Sequence, residues 1–244
     1  MVGKFIVLDG TDGSGKATQT ALLVSRLKAA GHDVETADFP QYGRKSAGLV
    51  EEYLNGKYGS ANEVDPRAAS IFYAVDRYDA SFQIRQWLTA GKIVIANRYT
   101  AANMGHQGAK FVDPAARKNF LGWLDNLEYE IFKIPRPDLN IILHVPAEIS
   151  QELVDQKAER EYINGKKRDI HEADINHLKA AEAVYLEIAK TYPNFRLIEC
   201  VHGDKILSRE EIAELVWQEV IKIVRSPESR EAQSPKVVPS GLIS

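Results

Sequence analysis

Lys4-Phe-Ile-Val-Leu-Asp9-Gly10-Thr-Asp12-Gly13-Ser14-Gly15-Lys16-Ala17-Thr18-Gln19 decides the fold. Phe5–Leu8 is an apolar run, a glycine-rich turn follows it, and a lysine opens a helical pattern. A turn of this kind cradles phosphates. Its glycines let successive backbone N–H groups converge on an anion, the helix N-terminus adds its positive dipole end, and Lys16 adds a full charge. The spacing is G-x-x-x-x-G-K-[ST] with one departure: Ala17 stands where a hydroxyl would ligate Mg²⁺. Gly10, Gly13, Ser14, Gly15, Lys16, Ala17 and Thr18 are therefore the expected contacts for a donor nucleotide's phosphates.

Outward from this loop, four further apolar runs read as strands: Val34–Ala37, Ile93–Ala96, Leu139–Val145 and Phe195–Ile198. They are rich in Val, Ile and Leu without strict alternation, which suits strands buried on both faces of a parallel sheet. Helical patterns fall at 16–30, 45–55, 66–90, 114–132, 147–162, 174–191 and 208–225. This alternation predicts an α/β, doubly wound, five-stranded parallel sheet with helices on both faces, in one domain over 1–224. From residue 225 the tail is polar and proline-bearing, and disorder is expected there.

Composition narrows the class. A net charge of −3 gives no sign of a nucleic-acid surface, and no apolar run approaches a bilayer span. The single cysteine, Cys200, ends an apolar run and reads as a buried thiol, which excludes an internal disulfide framework. With the first strand opening at residue 4, no secretory signal is read and a cytoplasmic location is expected.

Between two helical patterns, residues 155–172 carry Lys157, Arg160, Lys166, Lys167 and Arg168 around Gly165. In a phosphate-loop protein such a basic stretch reads as a lid that closes over phosphates and excludes water. The chain has no Asn-Lys-x-Asp and no Leu-Ser-Gly-Gly-Gln, which leaves a small-molecule kinase as the best class. Four other stretches bear on the acceptor: Asp38-Phe39-Pro40-Gln41-Tyr42-Gly43 after the second strand; Phe72 to Arg77 on a long helix; Asn97-Arg98-Tyr99 after the third strand, followed by Asn103 and His106-Gln107-Gly108-Ala109-Lys110; and Pro137-Asp138-Leu139. Phe72 and Asp76 are four apart and Arg77 is one further, so an aromatic and an arginine can share a helix face.

Taken in order over about residues 3–220, these stretches resemble the thymidylate kinase family of phosphate-loop nucleoside monophosphate kinases. The resemblance implies a reaction, ATP + dTMP → ADP + dTDP, with Mg²⁺ as cofactor and a homodimer as the working form, its interface on helices 66–90 and 114–132. It implies that Phe72 stacks on thymine and that Arg77 meets the base carbonyl or the acceptor phosphate. Arg98 would clamp that phosphate bidentately, with Tyr42 donating its hydroxyl to it. Asn103 and Gln107 would read the pyrimidine edge, since an amide donates and accepts at once. Phe39 would pack beneath the sugar or acceptor helix, and His106 would either crowd the sugar's 2′ position or serve as a structural histidine. Asp12 would sit near the acceptor 3′-hydroxyl and the metal.

Two positions depart from the family. Ala17 offers no hydroxyl to Mg²⁺, and Asn97 stands where the family has an aspartate before Arg-Tyr; a weaker metal site is expected, held by Asp12 and Asn97 through water. Gly13 stands where some members carry an arginine, which passes the catalytic cation to the lid as Arg160 or Arg168, with Lys157 a weaker candidate. The competing readings are a deoxynucleoside kinase, in which Asp38 or Asp12 would be the base, and a nucleotide-binding regulatory protein with weakened catalysis.

Overall fold

Five parallel strands form the sheet: β1 (Lys4–Asp9), β2 (Val34–Asp38), β3 (Ile93–Asn97), β4 (Leu139–His144) and β5 (Phe195–Glu199), in the order β2-β3-β1-β4-β5. The computed structural model describes residues 3–61, 63–155, 175–203 and 205–225. The expected lid from 156 on, with Lys157, Arg160 and Arg168, and the tail beyond 225 lie outside the described residues.

Successive strand side chains alternate between two cores. Ile6, Leu8, Ile93, Ile95, Ile141 and Leu143 face α1 (Lys16–Ala29) and α8 (Arg209–Arg225), where they meet Leu23, Leu27, Ile212, Val216 and Val220. Phe5, Val7, Val94 and Ala96 face the opposite way, against Ala80, Ile84 and Leu88 of α3 (Pro66–Thr89). With both faces buried, each strand is apolar throughout, which is why its sequence lacks alternation. The doubly wound α/β class expected from the sequence is the observed one, and each expected strand lies within two residues of its observed bounds.

The sheet order brings the C-terminal ends of β1 and β3 side by side, with Leu8 registered against Asn97, and β2 on the far side of β3 registers Asp38 against the same residue. The connections leaving these ends form one crevice, the position ligands occupy in open α/β sheets. Around it stand α2 (Gly48–Leu54), α3, and α4 (Thr100–Gly108), the last a helix that the sequence patterns did not predict. Behind α4 lies α7 (Ile175–Thr191), and α6 (Ala147–Asp155) leaves β4 beside the phosphate loop. A two-strand hairpin, β6 (Val201–His202) with β7 (Lys205–Ile206), follows β5.

The expected helix over 114–132 divides in two. α5 (Pro114–Asp125) is α-helical, and Asn126–Ile131 continues as a π-helical turn. Such turns recur at functional positions because they swing a side chain out of helical register. Here the turn buries Glu128 completely. Cys200 is a buried free thiol as expected, its pKa pushed up to about 12 by burial.

Candidate active site

Lys16 curls back over the phosphate loop, its ammonium donating to the carbonyls of Gly10 at 3.1 Å and Thr11 at 2.8 Å. The same ammonium is 3.9 Å from Asp12 Oδ1. Gly15 caps α1 from the left-handed region, at φ 86°. Gly13 is at φ 87°, and a Cβ on it would lie 2.2 Å from the backbone carbonyl oxygen of Ser150 on α6, so no side chain fits there. The Ser150 hydroxyl donates to the Asp12 carbonyl, and its oxygen is 3.3 Å from Thr11 Oγ1. The absence of a loop arginine at position 13 thus has a steric cause: α6 is docked where that side chain would go.

Beside the loop is a cavity of about 280 Å³. Asp12, Gly15, Lys16 and Ala17 form one end of it; Phe39, Pro40, Tyr42, Leu54, Tyr73, Arg77, Asn97, Arg98, Tyr99, Ala102, Asn103, His106 and Gln107 form the rest. Sequence expectation and structure agree on Phe39, Tyr42, Arg77, Arg98, Asn103, His106 and Gln107 as neighbours around one space. Phe72 is the correction. It packs against Tyr53 and Tyr58, with ring centroids 6.3 and 5.6 Å away, in a satellite core under α2. Tyr73 takes the cavity wall instead, one helical turn before Arg77, with Tyr53 edge-on at 6.2 Å. Counting i, i+4 back from Arg77 lands on position 73, whereas 72 lies a further 100° round the helix.

Arg98 occupies the strand end with φ 65°, a backbone region that costs a non-glycine residue energy and clusters at functional positions. Its own N–H donates to the Leu8 carbonyl at 2.8 Å, which fixes the strained turn to β1. The guanidinium pairs with Asp12 through Nη2, and Nη1 lies 4.0 Å from Asp9 Oδ1 and 3.4 Å from His106 Nε2. Burial opposes the charge, but the Asp12 and Asp9 carboxylates prevail and hold its pKa well above the ordinary value. His106 is neutral for the converse reason: burial, then the neighbouring Arg98 charge, push its pKa well below the histidine range.

Arg77 is buried rather than paired at the surface. Its Nε donates to Glu128 Oε1 at 3.0 Å and Oε2 at 3.2 Å, its Nη2 also meets Oε1, and its Nη1 donates to the Tyr99 carbonyl at 3.3 Å. Burial lowers its pKa, yet Glu128 outweighs that and the guanidinium stays charged. Asp76, also buried, accepts from Gln41 N at 2.8 Å and Ser46 Oγ at 2.7 Å, which anchors the Phe39–Gly43 turn to α3.

The far end of the cavity differs in character. Asn103, which lines the cavity, donates its amide N–H to the Ser70 carbonyl at 3.1 Å. Gln107 is fully buried, lines the cavity, and neither atom of its amide has a hydrogen-bond partner among the described residues. Asn97 Oδ1 is likewise buried without a partner among the described residues, and Asn97 lines the same cavity. Such orphaned polar atoms cost about 1–3 kcal/mol each, and a ligand that pairs them removes that cost. Among the described residues no group of three or more His, Cys, Asp or Glu is arranged to hold a metal ion. The oxygen donors available to a hard cation are Asn97 Oδ1 and the Asp12 carboxylate, a fit for water-mediated rather than caged binding. Thr18 is exposed on α1 and outside the cavity lining, so it does not replace the missing hydroxyl of Ala17.

Asp9, Glu128, Ser150 and Tyr185 are contributors that sequence patterns did not single out. Asp9 could have been suspected as a charge at the end of a buried strand. The others are remote in the chain and carry no local signal.

A family profile described as Thymidylate kinase matches residues 8–204. The chain belongs to the thymidylate kinase family. Thymidylate kinase from Mycobacterium tuberculosis is 33% identical over 185 residues, covering 75% of this chain and 85% of that protein. A protein named probable thymidylate kinase from Thermococcus onnurineus is 30% identical over 225 residues, covering 89% of this chain and 99% of its own length. The solved thymidylate kinase of Candida albicans superposes with a TM-score of 0.68 over 91% of this chain and 93% of its own, at 22% identity. That likeness supports the fold of this family member, a phosphate-loop kinase sheet with helices around it. No helix among the described residues is long and apolar enough to cross a membrane.

Proposed function

We propose that the chain transfers the γ-phosphoryl group of ATP to dTMP, giving ADP and dTDP. The observation that carries this reading is the cavity itself. It joins an arginine held beside the phosphate loop, Arg98, to a buried unpartnered amide, Gln107, and those two ends suit a phosphate and a pyrimidine edge. A nucleoside acceptor would bring no phosphate to Arg98, so the deoxynucleoside kinase reading fits less well. A purely regulatory role has no feature of the site in its favour.

Phosphoryl transfer asks for alignment and charge neutralisation more than covalent chemistry. The loop N–H groups and Lys16 hold the donor's β- and γ-phosphates. Binding swings Lys16 from the Gly10 and Thr11 carbonyls to phosphate, and Arg98 shares itself between Asp12 and the acceptor phosphate, with Tyr42 alongside. Tyr73 stacks on the base, Asn103 and Gln107 pair its edge, and Arg77, clamped by Glu128, presents its remaining donor capacity to the cavity. No general base is required, because the acceptor oxygen is already ionised. Asp12 and Asn97 are the residues that would hold Mg²⁺, which would supply charge neutralisation when bound. The residual cation is assigned to Arg160 or Arg168; if neither Arg→Ala change lowers kcat, that assignment fails.

A second copy of the chain is the inferred partner. Ile71, Val75, Tyr78 and Phe82 are exposed along one face of α3 at intervals of four, three and four, and exposed Ile131 extends the patch through half-buried Phe132, 5.1 Å from Tyr78. Light scattering of the wild type and of Phe82→Glu should give a dimer and a monomer respectively. A cytoplasmic location accords with the lone reduced cysteine.

Turnover of ATP with dTMP, thymidine, dUMP, dCMP and AMP tests the function. Formation of dTDP with dTMP preferred is the expected result; phosphorylation of thymidine in place of dTMP overturns it.

A further inference from the structure

Besides Asp12, which meets Nη2, Arg98 has two neighbours at Nη1, Asp9 and His106, and both touch one residue far away in the chain. Asp9 is completely buried. Its Oδ1, the oxygen facing Arg98, accepts from Gly10 N at 2.9 Å and from the Tyr185 hydroxyl at 2.9 Å, while Oδ2 accepts from Tyr99 N at 3.3 Å. The Tyr185 ring is edge-on to His106, centroids 5.9 Å apart at 88°. The same ring supports the backbone of α4: a Cβ on Gly105 would lie 2.6 Å from it. Tyr185 itself is buried on α7, beyond the expected lid in the chain.

We propose that Tyr185 is a positioning residue for phosphoryl transfer, setting Arg98 toward the acceptor phosphate by fixing Asp9 with its hydroxyl and His106 with its ring. The inference rests on the dTMP kinase reading above. Asp9 and the acceptor phosphate compete for Arg98. Burial raises the Asp9 pKa, and Arg98, Lys16, the Gly10 N–H and the Tyr185 hydroxyl oppose it; a carboxylate in so dry an environment collects every donor within reach, because an unsatisfied charge there is costly. With the Tyr185 hydroxyl and the Gly10 N–H both aimed at Oδ1, Asp9 is served by groups that do not move during the reaction. Arg98 then stays at 4.0 Å, outside hydrogen-bond distance, and keeps its place in the cavity lining. Take the hydroxyl away, and the most mobile donor nearby is Arg98 itself. It closes on Asp9 and turns from the acceptor. Burial and the Asp9 charge hold the Tyr185 pKa well above its ordinary value, so the hydroxyl stays a donor throughout the working pH range. Lys16 is hydrogen-bonded to the Gly10 and Thr11 carbonyls, so the donor nucleotide should register the change far less than the acceptor.

The test begins with wild-type turnover of ATP and dTMP; absence of dTDP there rejects the underlying reading and is told apart from failure of this one. In an active enzyme, Tyr185→Phe keeps the ring under α4 and removes only the hydroxyl. The expected result is a rise in KM for dTMP of about tenfold, the loss of one charge-assisted hydrogen bond, with KM for ATP within about twofold. A merely structural tyrosine would shift both constants together or neither, and either pattern overturns the proposal. The cycle with Asp9→Asn supplies the second check. If the hydroxyl acts through Asp9, Tyr185→Phe adds nothing to the dTMP KM of Asp9→Asn; full additivity in the double variant overturns the route through Asp9.

Discussion

The two ends of the cavity prepare for a ligand in opposite ways. At the phosphate end every charge already has a protein partner: Arg98 on Asp12, Lys16 on the Gly10 and Thr11 carbonyls, Arg77 on Glu128. At the base end Gln107 keeps both amide atoms unpartnered among the described residues, and Asn97 Oδ1, elsewhere on the cavity lining, is in the same condition. The difference follows from what each end must bind. Phosphate brings its own strong charge, so it can displace internal partners, and a lysine or arginine left bare in a partly dry site would be expensive. A base edge brings only neutral donors and acceptors. It competes poorly against satisfied bonds, so affinity there requires groups held unsatisfied at a cost to folding.

The contrast can be broken at several points, and the largest effects belong to the phosphate end. Lys16→Met and Arg98→Ala should each lower kcat/KM by about a thousandfold, since both remove charge that the transition state uses; steady-state kinetics showing less than a tenfold loss for both would remove the phosphate end from the account. Glu128→Ala leaves the Arg77 charge buried without its partner and should destabilise the fold by about 3–5 kcal/mol in urea unfolding. Tyr73→Ala should raise KM for dTMP by roughly 5- to 150-fold, from about 1–3 kcal/mol of lost stacking, whereas Phe72→Ala should lower the melting temperature and leave that KM nearly unchanged. The reverse result would restore Phe72 to the site.

Gln107→Met sharpens the comparison, because its two effects have opposite sign. Removing a buried unpaired amide should stabilise the free protein by about 1 kcal/mol, while dTMP binding weakens about tenfold. Stability and affinity falling together would mean that the amide is satisfied in solution. The smallest effect is at the metal. Asn97→Asp should lower the Mg²⁺ concentration for half-maximal rate, because a carboxylate is a better water-mediated partner than an amide; an unchanged titration would place the metal away from β3.

Contiguity decides how much of this was legible in the sequence. The phosphate loop is one uninterrupted stretch whose spacing is its geometry, and the buried strands show themselves by composition. The α4 helix did not, since Asn103, Gly105 and Gly108 depress helix propensity and Tyr99 caps it without a side-chain bond. Its stability comes from lying on α7, where Gly105 exists to let the backbone meet the Tyr185 ring. The Phe72 expectation failed by a single position because a helix face is set by the fourth residue, not the fifth. Glu128 reaches Arg77 across 51 residues only because a π-helical turn rotates it inward. The pairs that hold each functional arginine are long-range, and nothing local in the chain announces them.

A crystal structure of the protein with dTMP tests the central claim most directly. The account predicts the 5′-phosphate against Arg98, the ring over Tyr73, and the pyrimidine edge bonded to the Gln107 amide. Arg98 still closed on Asp12 alone, with the base lodged away from Gln107, would contradict it.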